Sequence, residues 1–510
     1  MNAQRVPILG LLARTLVLGL AAAAPTAAQD PAATLDAYVE SNRLAWEIPG
    51  LAVAVVHKGQ VVLAKGYGVR QLGSSGAVDE HTLFSIGSTT KAMTAATLGL
   101  SVDAGLLGWH DPVITHWPGF RLHDAYATRE LTVIDLLTHR AGLGNADQLW
   151  YGRDRPREDI LARIPLIEPA YSLRAGFVYQ NIMYVAAGEL AGRLTDSSWE
   201  DLVTSRLFQP LGMERTVPTT TAAERMANVA QPHYRIEGQV EVIQNEILDT
   251  IAPAGAVWSS VSDMSRWLRM LLNEGEWNGE RILSEATVSE MFRPQTLLDV
   301  ATLYPYLHLI APHWTSYGLG WFQLDYHGRA VSFHTGSIDG MAAIVGIIPD
   351  EELGVVVLEN LDHAELRHAL LWKAFDLFGE DESSRDWSAE LQEFYAGLRA
   401  QADERRETLK AERILDTEPS LPLERYAGTY DHPLYGELLV SFVDGHLRIV
   451  LGPRLAADLE HWHRESFRPR FDRRWQDGGS LITFHLDGAG DASRLEMGGL
   501  AYRRVDDPEK

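Results

Sequence analysis

The chain has 510 residues, of which 46% are hydrophobic and 22% charged, and this composition is typical of a globular protein rather than a disordered or fibrous one. Its formal net charge of −24 has the wrong sign for a surface that binds nucleic acid or anionic lipid. The absence of cysteine excludes a disulfide scaffold, a zinc site with thiolate ligands and a cysteine nucleophile.

Residues 1–28 have the pattern of a secretory signal peptide. Arg5 and Arg14 precede a short apolar run over 16–24, and small residues at 26–28 lead into Gln29 and Asp30. A basic start, a short apolar stretch and small residues before a polar break are typical of a leader that is cleaved on export. Because the apolar run is too short to span a bilayer, we expect a protein secreted across the inner membrane into the periplasm, without stable membrane insertion. An uncleaved membrane anchor is the alternative.

The pattern of apolar residues over 30–380 predicts one α+β domain. Apolar residues at helical spacing over 30–45 indicate an amphipathic helix, and apolar runs at 51–56 and 61–64 indicate a hairpin of buried strands. Further helical patterns follow at 88–104, 131–138, 182–194 and 262–273. Strand patterns return at 317–322, 330–333, 342–348 and 353–358. We expect the hairpin and these late strands to share one antiparallel sheet that is flanked by helices.

The sequence changes character after residue 380. Residues 381–420 are charged and have a helical pattern, with Trp387 and Leu391 on its apolar face, and they are predicted to form a helical linker. In residues 421–510 short strands alternate with Gly and Asp-Gly turns, which is typical of a small antiparallel β-sandwich or barrel. Its role is left open between a lid over the site, a dimer surface and a stabilising addition, the last being the default.

Ser88 and Lys91 lie three residues apart at the start of a predicted helix. This spacing places both side chains on one helical face, so the amine can hydrogen-bond the hydroxyl. A serine hydroxyl becomes a good nucleophile when a neighbouring base takes its proton, and a lysine whose pKa is lowered by burial can be that base. Ser-x-x-Lys is also common on surface helices, but no other lysine of this chain has a serine three positions before it.

Two further motifs follow this pair in the chain. Tyr179 and Asn181 lie in a loop before a predicted helix, and His334-Thr-Gly336-Ser337 lies on a predicted strand, with a glycine where a substrate backbone can approach closely. With the motifs Ser-x-x-Lys, Tyr-x-Asn and His-Thr-Gly in this order, residues 35–375 resemble the β-lactamase-like serine hydrolases. That group is the one around class C β-lactamases, D-alanyl-D-alanine carboxypeptidases, D-aminopeptidases and related esterases. The C-terminal region is similar to a lipocalin-like β domain that is often appended to them.

The resemblance implies a role for each motif residue. Ser88 is expected to be the acylated nucleophile and Lys91 to hold or shuttle its proton. Tyr179 is expected to be the partner base that returns a proton to the leaving group, and the sequence leaves open which of the two is the acting base. Asn181 is expected to hydrogen-bond a substrate amide or the lysine. The backbone N–H groups of Ser88 and Ser337 are expected to hold the oxyanion.

His334 departs from the lysine that penicillin-hydrolysing members usually carry at this position. A histidine is mostly uncharged at neutral pH, whereas lysine supplies a permanent cation for the drug's carboxylate. We therefore expect an exported serine hydrolase that cleaves ester or D-peptide-like amide bonds through an acyl-enzyme. The alternatives are a β-lactamase or DD-carboxypeptidase, and a non-turnover penicillin-binding sensor acylated at the same serine. The physiological substrate stays open, because the shape of the pocket determines it.

Metal chemistry is not predicted, although the chain has 18 histidines. The closest pairs are His461 with His463 and His363 with His368, and no His-Glu-x-x-His motif occurs. Alternation along a strand explains the first pair as surface residues. We expect no metal, no cofactor and no nucleic acid, and the expected partner is a small-molecule or peptide substrate. The sequence does not predict an oligomeric state.

Overall fold

A large antiparallel sheet organises the first part of the chain in the computed structural model, which describes residues 30–300, 303–379 and 385–505. The eight-stranded sheet has the order β2-β1-β14-β13-β12-β11-β10-β9, so the N-terminal hairpin pairs with the last strand of this part. In chain order the strands are β1 (Gly50–His57), β2 (Gln60–Gly68), β3 (Phe84–Ser85), β4 (His233–Ile236), β5 (Gln239–Val242), β6 (Trp258–Ser259), β7 (Glu276–Trp277), β8 (Glu280–Arg281), β9 (Thr296–Leu297), β10 (Thr315–Tyr317), β11 (Phe322–Tyr326), β12 (Arg329–Ile338), β13 (Met341–Ile348) and β14 (Leu353–Glu359).

Helices cover both faces of this sheet. In chain order they are α1 (Pro31–Ala45), α2 (Thr90–Asp103), α3 (Val113–His116), α4 (Ala125–Glu130), α5 (Val133–Leu137), α6 (Arg157–Ala162), α7 (Asn181–Thr195), α8 (Trp199–Val203), α9 (Gln209–Leu211), α10 (Thr220–Ala223), α11 (Ala252–Gly255), α12 (Val261–Leu272), α13 (Glu285–Met291), α14 (Leu366–Phe378) and α15 (Trp387–Ala411).

The period of two along each strand divides the apolar side chains between two cores. The even-numbered residues of β1 from 52 to 56 pack with α2, α7 and α12, whereas the odd-numbered residues from 51 to 55 pack with α1, α14 and α15. Because both faces are covered, the central strands β1, β13 and β14 are almost continuous apolar runs rather than alternating ones. The predicted fold class, an antiparallel sheet flanked by helices, is confirmed.

Two local predictions are wrong. The second strand of the hairpin was predicted to be buried, but β2 is an edge strand and its Val61 is 42% exposed. The segment 317–322 was predicted to be one strand, but it is the turn between β10 and β11. Gly320 in this turn has a φ of +84°, and a Cβ built on it would lie 2.7 Å from backbone atoms of Ala92. The turn therefore packs closely on helix α2, where only glycine fits.

The C-terminal part of the chain is a closed barrel. Helix α15 leads to it, and its Trp387 and Leu391 are buried against the second core. Inward-facing residues alternate with outward-facing ones along β17 and β18, as expected for a barrel wall. The sequence allowed a sandwich or a barrel, and the structure is a barrel. Its strands are β15 (Gly428–His432), β16 (Gly436–Val443), β17 (His446–Gly452), β18 (Leu455–His463), β19 (Ser466–Phe471), β20 (Ile482–Leu486), β21 (Ala492–Met497) and β22 (Leu500–Val505).

Charged side chains join the barrel to the first part of the chain. Arg155 donates a hydrogen bond of 2.9 Å to the backbone carbonyl of Tyr435, in the turn between β15 and β16. The buried carboxylate of Glu246 accepts hydrogen bonds from two barrel residues, Arg454 and Arg473. Removing one partner of a buried ion pair costs about 3–5 kcal/mol because it leaves an uncompensated charge. These contacts therefore fix the barrel against the remainder of the described chain.

The predicted signal peptide over residues 1–28 lies outside the described residues. Within the described ranges, no helix has both the length and the apolar character needed to cross a bilayer.

Candidate active site

A short 3-10 turn presents Ser88 at the junction of a helix and a strand. The turn covers Gly87–Thr89 and leads directly into α2, whose first turn contains Lys91. The lysine is fully buried, and its Nζ lies 3.1 Å from Ser88 Oγ. The glycine of the turn has a φ of +51°, and a Cβ built on it would lie 2.7 Å from the backbone nitrogen of Ser337. Strand β12 therefore lies directly beside Ser88.

Lys91 has two further partners besides Ser88. Its Nζ lies 2.7 Å from Asn181 Oδ1 and 2.8 Å from the backbone carbonyl oxygen of Ala254. The amide of Asn181 is oriented by Asp147, because its Nδ2 donates a hydrogen bond of 3.0 Å to a carboxylate oxygen that can only accept. A neutral lysine has two N–H donors, and these two acceptors use both. The remaining lone pair is then left for the proton of the serine hydroxyl.

Burial shifts the pKa values of Lys91 and Tyr179 in opposite directions. Burial lowers the pKa of Lys91 to about 7, and the nearby carboxylate of Asp147 opposes that fall only in part. Burial raises the pKa of Tyr179 well above its usual value, although a hydrogen bond with Ser88 partly counteracts this. Near neutral pH the lysine is thus poised to be uncharged, whereas the tyrosine keeps its proton.

His334 is buried and neutral. Its Nδ1 lies 2.6 Å from the backbone carbonyl oxygen of Thr335, which can only accept, so Nδ1 bears the proton. Its Nε2 lies 3.0 Å from the hydroxyl of Tyr317. Burial, together with the nearby charge of Lys91, lowers the pKa of His334 to about 3. This position therefore provides no cation at neutral pH.

Gly336 lets strand β12 touch the turn that carries Ser88. A Cβ built on Gly336 would lie 1.9 Å from the carbonyl oxygen of Ile86, so no other residue fits without moving the backbone. Behind this contact, Nη1 of the buried Arg367 donates hydrogen bonds of 2.6 Å to the carbonyl of Gly336 and 2.8 Å to Ser337 Oγ. The same guanidinium pairs with Glu365. The strand edge beside the serine is thus held from two sides.

The structure brings the sequence-predicted site residues into one place. Tyr179 is near enough to Ser88 for that hydroxyl to act on the pKa of the phenol, and its ring centroid lies 4.7 Å from Lys91 Nζ and 6.2 Å from the ring centroid of His334. The residues in this cluster are Ser88, Lys91, Tyr179, Asn181, His334, Gly336 and Ser337.

Sequence reasoning missed four participants. Asp147 and Arg367 act on site residues from distant parts of the chain, where neither belongs to a recognisable motif. Ala254 contributes only its backbone carbonyl, for which a side chain gives no indication. His139 contacts Tyr179 with ring centroids 4.3 Å apart. It lies just after helix α5, and a buried aromatic contact of this kind has no sequence motif of its own.

The described residues contain no cluster of three or more His, Asp or Glu side chains arranged to hold a metal ion. The two histidines of the 461–463 segment have backbone partners instead. His461 Nε2 lies 2.9 Å from the carbonyl of Arg464, and His463 Nδ1 accepts a hydrogen bond of 3.2 Å from the N–H of Ile414.

Comparison with known proteins places this arrangement in context. Residues 35–377 match the model of the Beta-lactamase family, and residues 412–506 match a domain of unknown function, DUF3471. An unguisins hydrolase of Aspergillus violaceofuscus is 29% identical over 438 residues, which cover 79% of this chain and 75% of that protein. A second unguisins hydrolase, of Aspergillus campestris, is 28% identical over 414 residues, and the alignment covers 78% of this chain and 75% of that protein.

Among solved structures, the octameric penicillin-binding protein homologue from Pyrococcus abyssi superimposes with a TM-score of 0.61 at 20% identity. The superposition covers 93% of this chain and 99% of that one, and at this identity it shows a shared fold.

Proposed function

The chain belongs to the Beta-lactamase family, and on that premise we propose that it is a serine hydrolase that cleaves ester or D-peptide-like amide bonds through an acyl-enzyme on Ser88. The family is of the serine-hydrolase type, and two of the similar proteins are named hydrolases. The observation that carries the proposal is the hydrogen bond of 3.1 Å between Ser88 Oγ and the buried amine of Lys91. Burial there gives the lysine a pKa of about 7, the value that a base acting at neutral pH requires.

In the proposed reaction, Lys91 is the base. Ser88 Oγ attacks the carbonyl carbon of the substrate as the hydroxyl proton passes to the lone pair of Lys91 Nζ. The carbonyl oxygen becomes an oxyanion, which the backbone N–H groups of Ser88 and Ser337 stabilise. Each such donor is worth about 3–4 kcal/mol in related chemistry.

Tyr179 delivers a proton in the next step. When the tetrahedral intermediate collapses, the bond to the leaving group breaks and the leaving alcohol or amine takes the phenolic proton of Tyr179. The proton held by Lys91 replaces it. The high pKa of Tyr179 supports this role, because the phenol enters the reaction protonated. A water molecule then attacks the acyl carbon, and its proton passes by way of Tyr179 to Lys91. When the bond between the acyl carbon and Ser88 Oγ breaks, Lys91 returns the proton to the serine and the acid is released. Asn181 holds the lysine amine in line through its Oδ1.

The neutral state of His334 supports esters and amides over β-lactams as substrates. A β-lactam presents a carboxylate, which a permanent cation at this position would neutralise. Buried at a pKa of about 3, His334 is uncharged throughout the neutral range. β-Lactamase or DD-carboxypeptidase activity, and a sensor that acylates once without turnover, are therefore alternatives that the experiment below must separate.

Export is part of the proposal and has its own support. The basic start, short apolar run and small residues of 1–28 are the pattern of a cleaved leader. N-terminal sequencing of the protein recovered from a bacterial periplasm is expected to begin near Gln29, and recovery of the full-length chain in the membrane fraction would contradict it.

The central experiment measures turnover of purified protein on p-nitrophenyl butyrate, a D-alanine p-nitroanilide and a chromogenic cephalosporin. We expect many turnovers per protein molecule on the first or second substrate, and none for Ser88→Ala. Ser101→Ala is the matched control, because Ser101 is a buried serine near the end of helix α2, outside the site. A single stoichiometric burst would indicate a sensor, and preference for the cephalosporin would indicate a β-lactamase.

A further inference from the structure

We propose that His139 is a positioning residue, one that holds Tyr179 at the nucleophile. This inference rests on the proposed function and assigns a task to a residue that the mechanism does not use. His139 follows helix α5, is fully buried, and has a φ of +55°, in the left-handed region. This conformation is unfavourable for residues other than glycine, so it persists only where other contacts hold it in place.

The backbone on both sides of Tyr179 is bonded to His139. The N–H of Val178 donates a hydrogen bond of 3.0 Å to the carbonyl of His139, and the N–H of Gln180 donates one of 2.9 Å to His139 Nδ1. Residues 178 and 180 are the two neighbours of Tyr179. One histidine therefore fixes the peptide groups on either side of the catalytic phenol, through its main chain on one side and its ring on the other.

The ring of His139 also supports the ring of Tyr179 directly. Their centroids are 4.3 Å apart with an angle of 32° between the planes, which is a tilted contact rather than an edge-to-face one. On its other sides the imidazole contacts Tyr317 at 4.7 Å, and Phe177 and Tyr184 each at 5.4 Å. A tyrosine ring held on one face and at both flanking peptides has little freedom to move its hydroxyl away from Ser88.

The protonation of His139 fits this task. Because Nδ1 accepts the Gln180 N–H, the proton of the neutral ring is on Nε2, and this buried atom has no hydrogen-bond partner among the described residues. Burial, with the nearby Lys91 and His334, lowers the pKa of His139 well below its usual value, so the ring stays neutral. A buried donor without an acceptor is unfavourable for stability. The hydrogen bond that Nδ1 accepts from the Gln180 N–H offsets part of this cost in stability.

The test compares His139→Asn with His139→Gly in ester hydrolysis. Asparagine can accept the Gln180 N–H and tolerates a positive φ, but it lacks the ring. Glycine removes both contacts and leaves the backbone unstrained. We expect kcat to fall about tenfold for asparagine and about a hundredfold for glycine, which is the scale of a misplaced catalytic group. KM should stay within about twofold, because no substrate contact is removed.

A double-mutant cycle with Tyr179→Phe separates positioning from a general structural role. If His139 acts through the tyrosine hydroxyl, His139→Asn should cost no further kcat once that hydroxyl is absent. Losses that multiply in the double variant would overturn the proposal, as would wild-type kcat in both single variants. The control is His233→Asn, another fully buried histidine that accepts a backbone N–H, which should lower thermal stability without lowering kcat.

The rate at which a fluorophosphonate labels Ser88 tests the role of His139 without requiring that the protein turn over any substrate. If wild-type protein hydrolyses none of the substrates, the proposed hydrolase function fails. Because the phenolic proton of Tyr179 would assist departure of the fluoride leaving group, labelling that is about tenfold slower in His139→Asn than in wild type would still support His139 as a positioning residue. Equal labelling rates would overturn it, whatever the turnover.

Discussion

Trp475 of the barrel donates a hydrogen bond of 2.8 Å from its indole nitrogen to Asp339, two residues beyond Ser337. Asp339 lies in the turn between β12 and β13, and the hydroxyl of Tyr151 is its other donor, at 2.7 Å. The barrel therefore contacts the turn at the end of β12, the strand that passes Ser88. Burial raises the pKa of Asp339, so these two donors support a carboxylate in an unfavourable environment.

Trp475→Phe should destabilise the protein by about 1–3 kcal/mol, because it leaves a buried carboxylate with one donor fewer. The pKa of Asp339 in the folded state is already raised and would rise further. The loss should therefore be small at low pH, where the folded carboxyl is protonated in both proteins, and grow as the pH rises through the raised pKa of Asp339 towards 7. Urea unfolding at several pH values measures this. Trp314→Phe, at a tryptophan that is 37% exposed, is the control. A loss that does not change with pH would contradict the assignment.

The pH dependence of kcat/KM tests which group is the base. Lys91 must be neutral to take a proton, and burial lowers its pKa to about 7. Activity should therefore be low at acidic pH, rise about tenfold per pH unit and level off above about 7. Lys91→Arg should be inactive at every pH, because a guanidinium does not release its proton. Lys65→Arg, at a lysine on the exposed edge strand, should keep the wild-type profile. A profile that is flat between pH 5 and 8 would exclude Lys91 as the base.

His334→Lys tests whether the charge at this position sets substrate preference. A lysine there would supply the cation that a β-lactam carboxylate requires, so acylation by the chromogenic cephalosporin should improve relative to ester hydrolysis. A second cation beside Lys91 would also lower the pKa of that lysine, which should shift the acidic limb of the ester profile to lower pH. His334→Gln, which is neutral, should change neither the ratio nor the limb in this way. An unchanged ratio in the lysine variant would remove the reason for disfavouring β-lactams.

Arg367→Met should weaken both stability and catalysis. The substitution removes the hydrogen bonds to Gly336 and Ser337 and leaves the buried Glu365 without its cation, which costs about 3–5 kcal/mol. Adding Glu365→Gln should recover part of the stability, because the buried charge is then gone, but not the activity. Thermal unfolding and ester turnover of the single and double variants measure the two effects. Recovery of full activity in the double variant would show that Arg367 does not hold the strand edge.

Much of the fold was predictable because its patterns are local. The apolar runs of the hairpin and of 342–348 and 353–358 have no polar interruption, and they are the strands β1, β13 and β14. The prediction for 317–322 was wrong because its aromatic residues suit a strand, whereas its two glycines suit the turn that packs on α2. Whether a strand is central or at an edge, as for β2, depends on the whole sheet and cannot be inferred from one segment.

The candidate site was likewise predictable only in part. Ser88, Lys91, Tyr179 and Asn181 form motifs whose order alone suggested that they meet. The carbonyl of Ala254 and the carboxylate of Asp147 have no motif, because their contribution depends on where the chain passes in three dimensions. The sequence left the choice of base open, since only burial separates the pKa of the lysine from that of the tyrosine.

The contact between Gly336 and Ile86 joins main chain to main chain, because a Cβ on the glycine would lie 1.9 Å from the carbonyl oxygen. The spacing between the turn that carries Ser88 and the neighbouring strand is thus set by atoms that every amino acid shares. Directed evolution towards new substrates can therefore randomise a surrounding position such as Tyr304, whose hydroxyl hydrogen-bonds Thr335 Oγ1, while sparing this glycine. The reaction centre should keep its geometry across such a library, and selectivity and catalytic competence become separately adjustable.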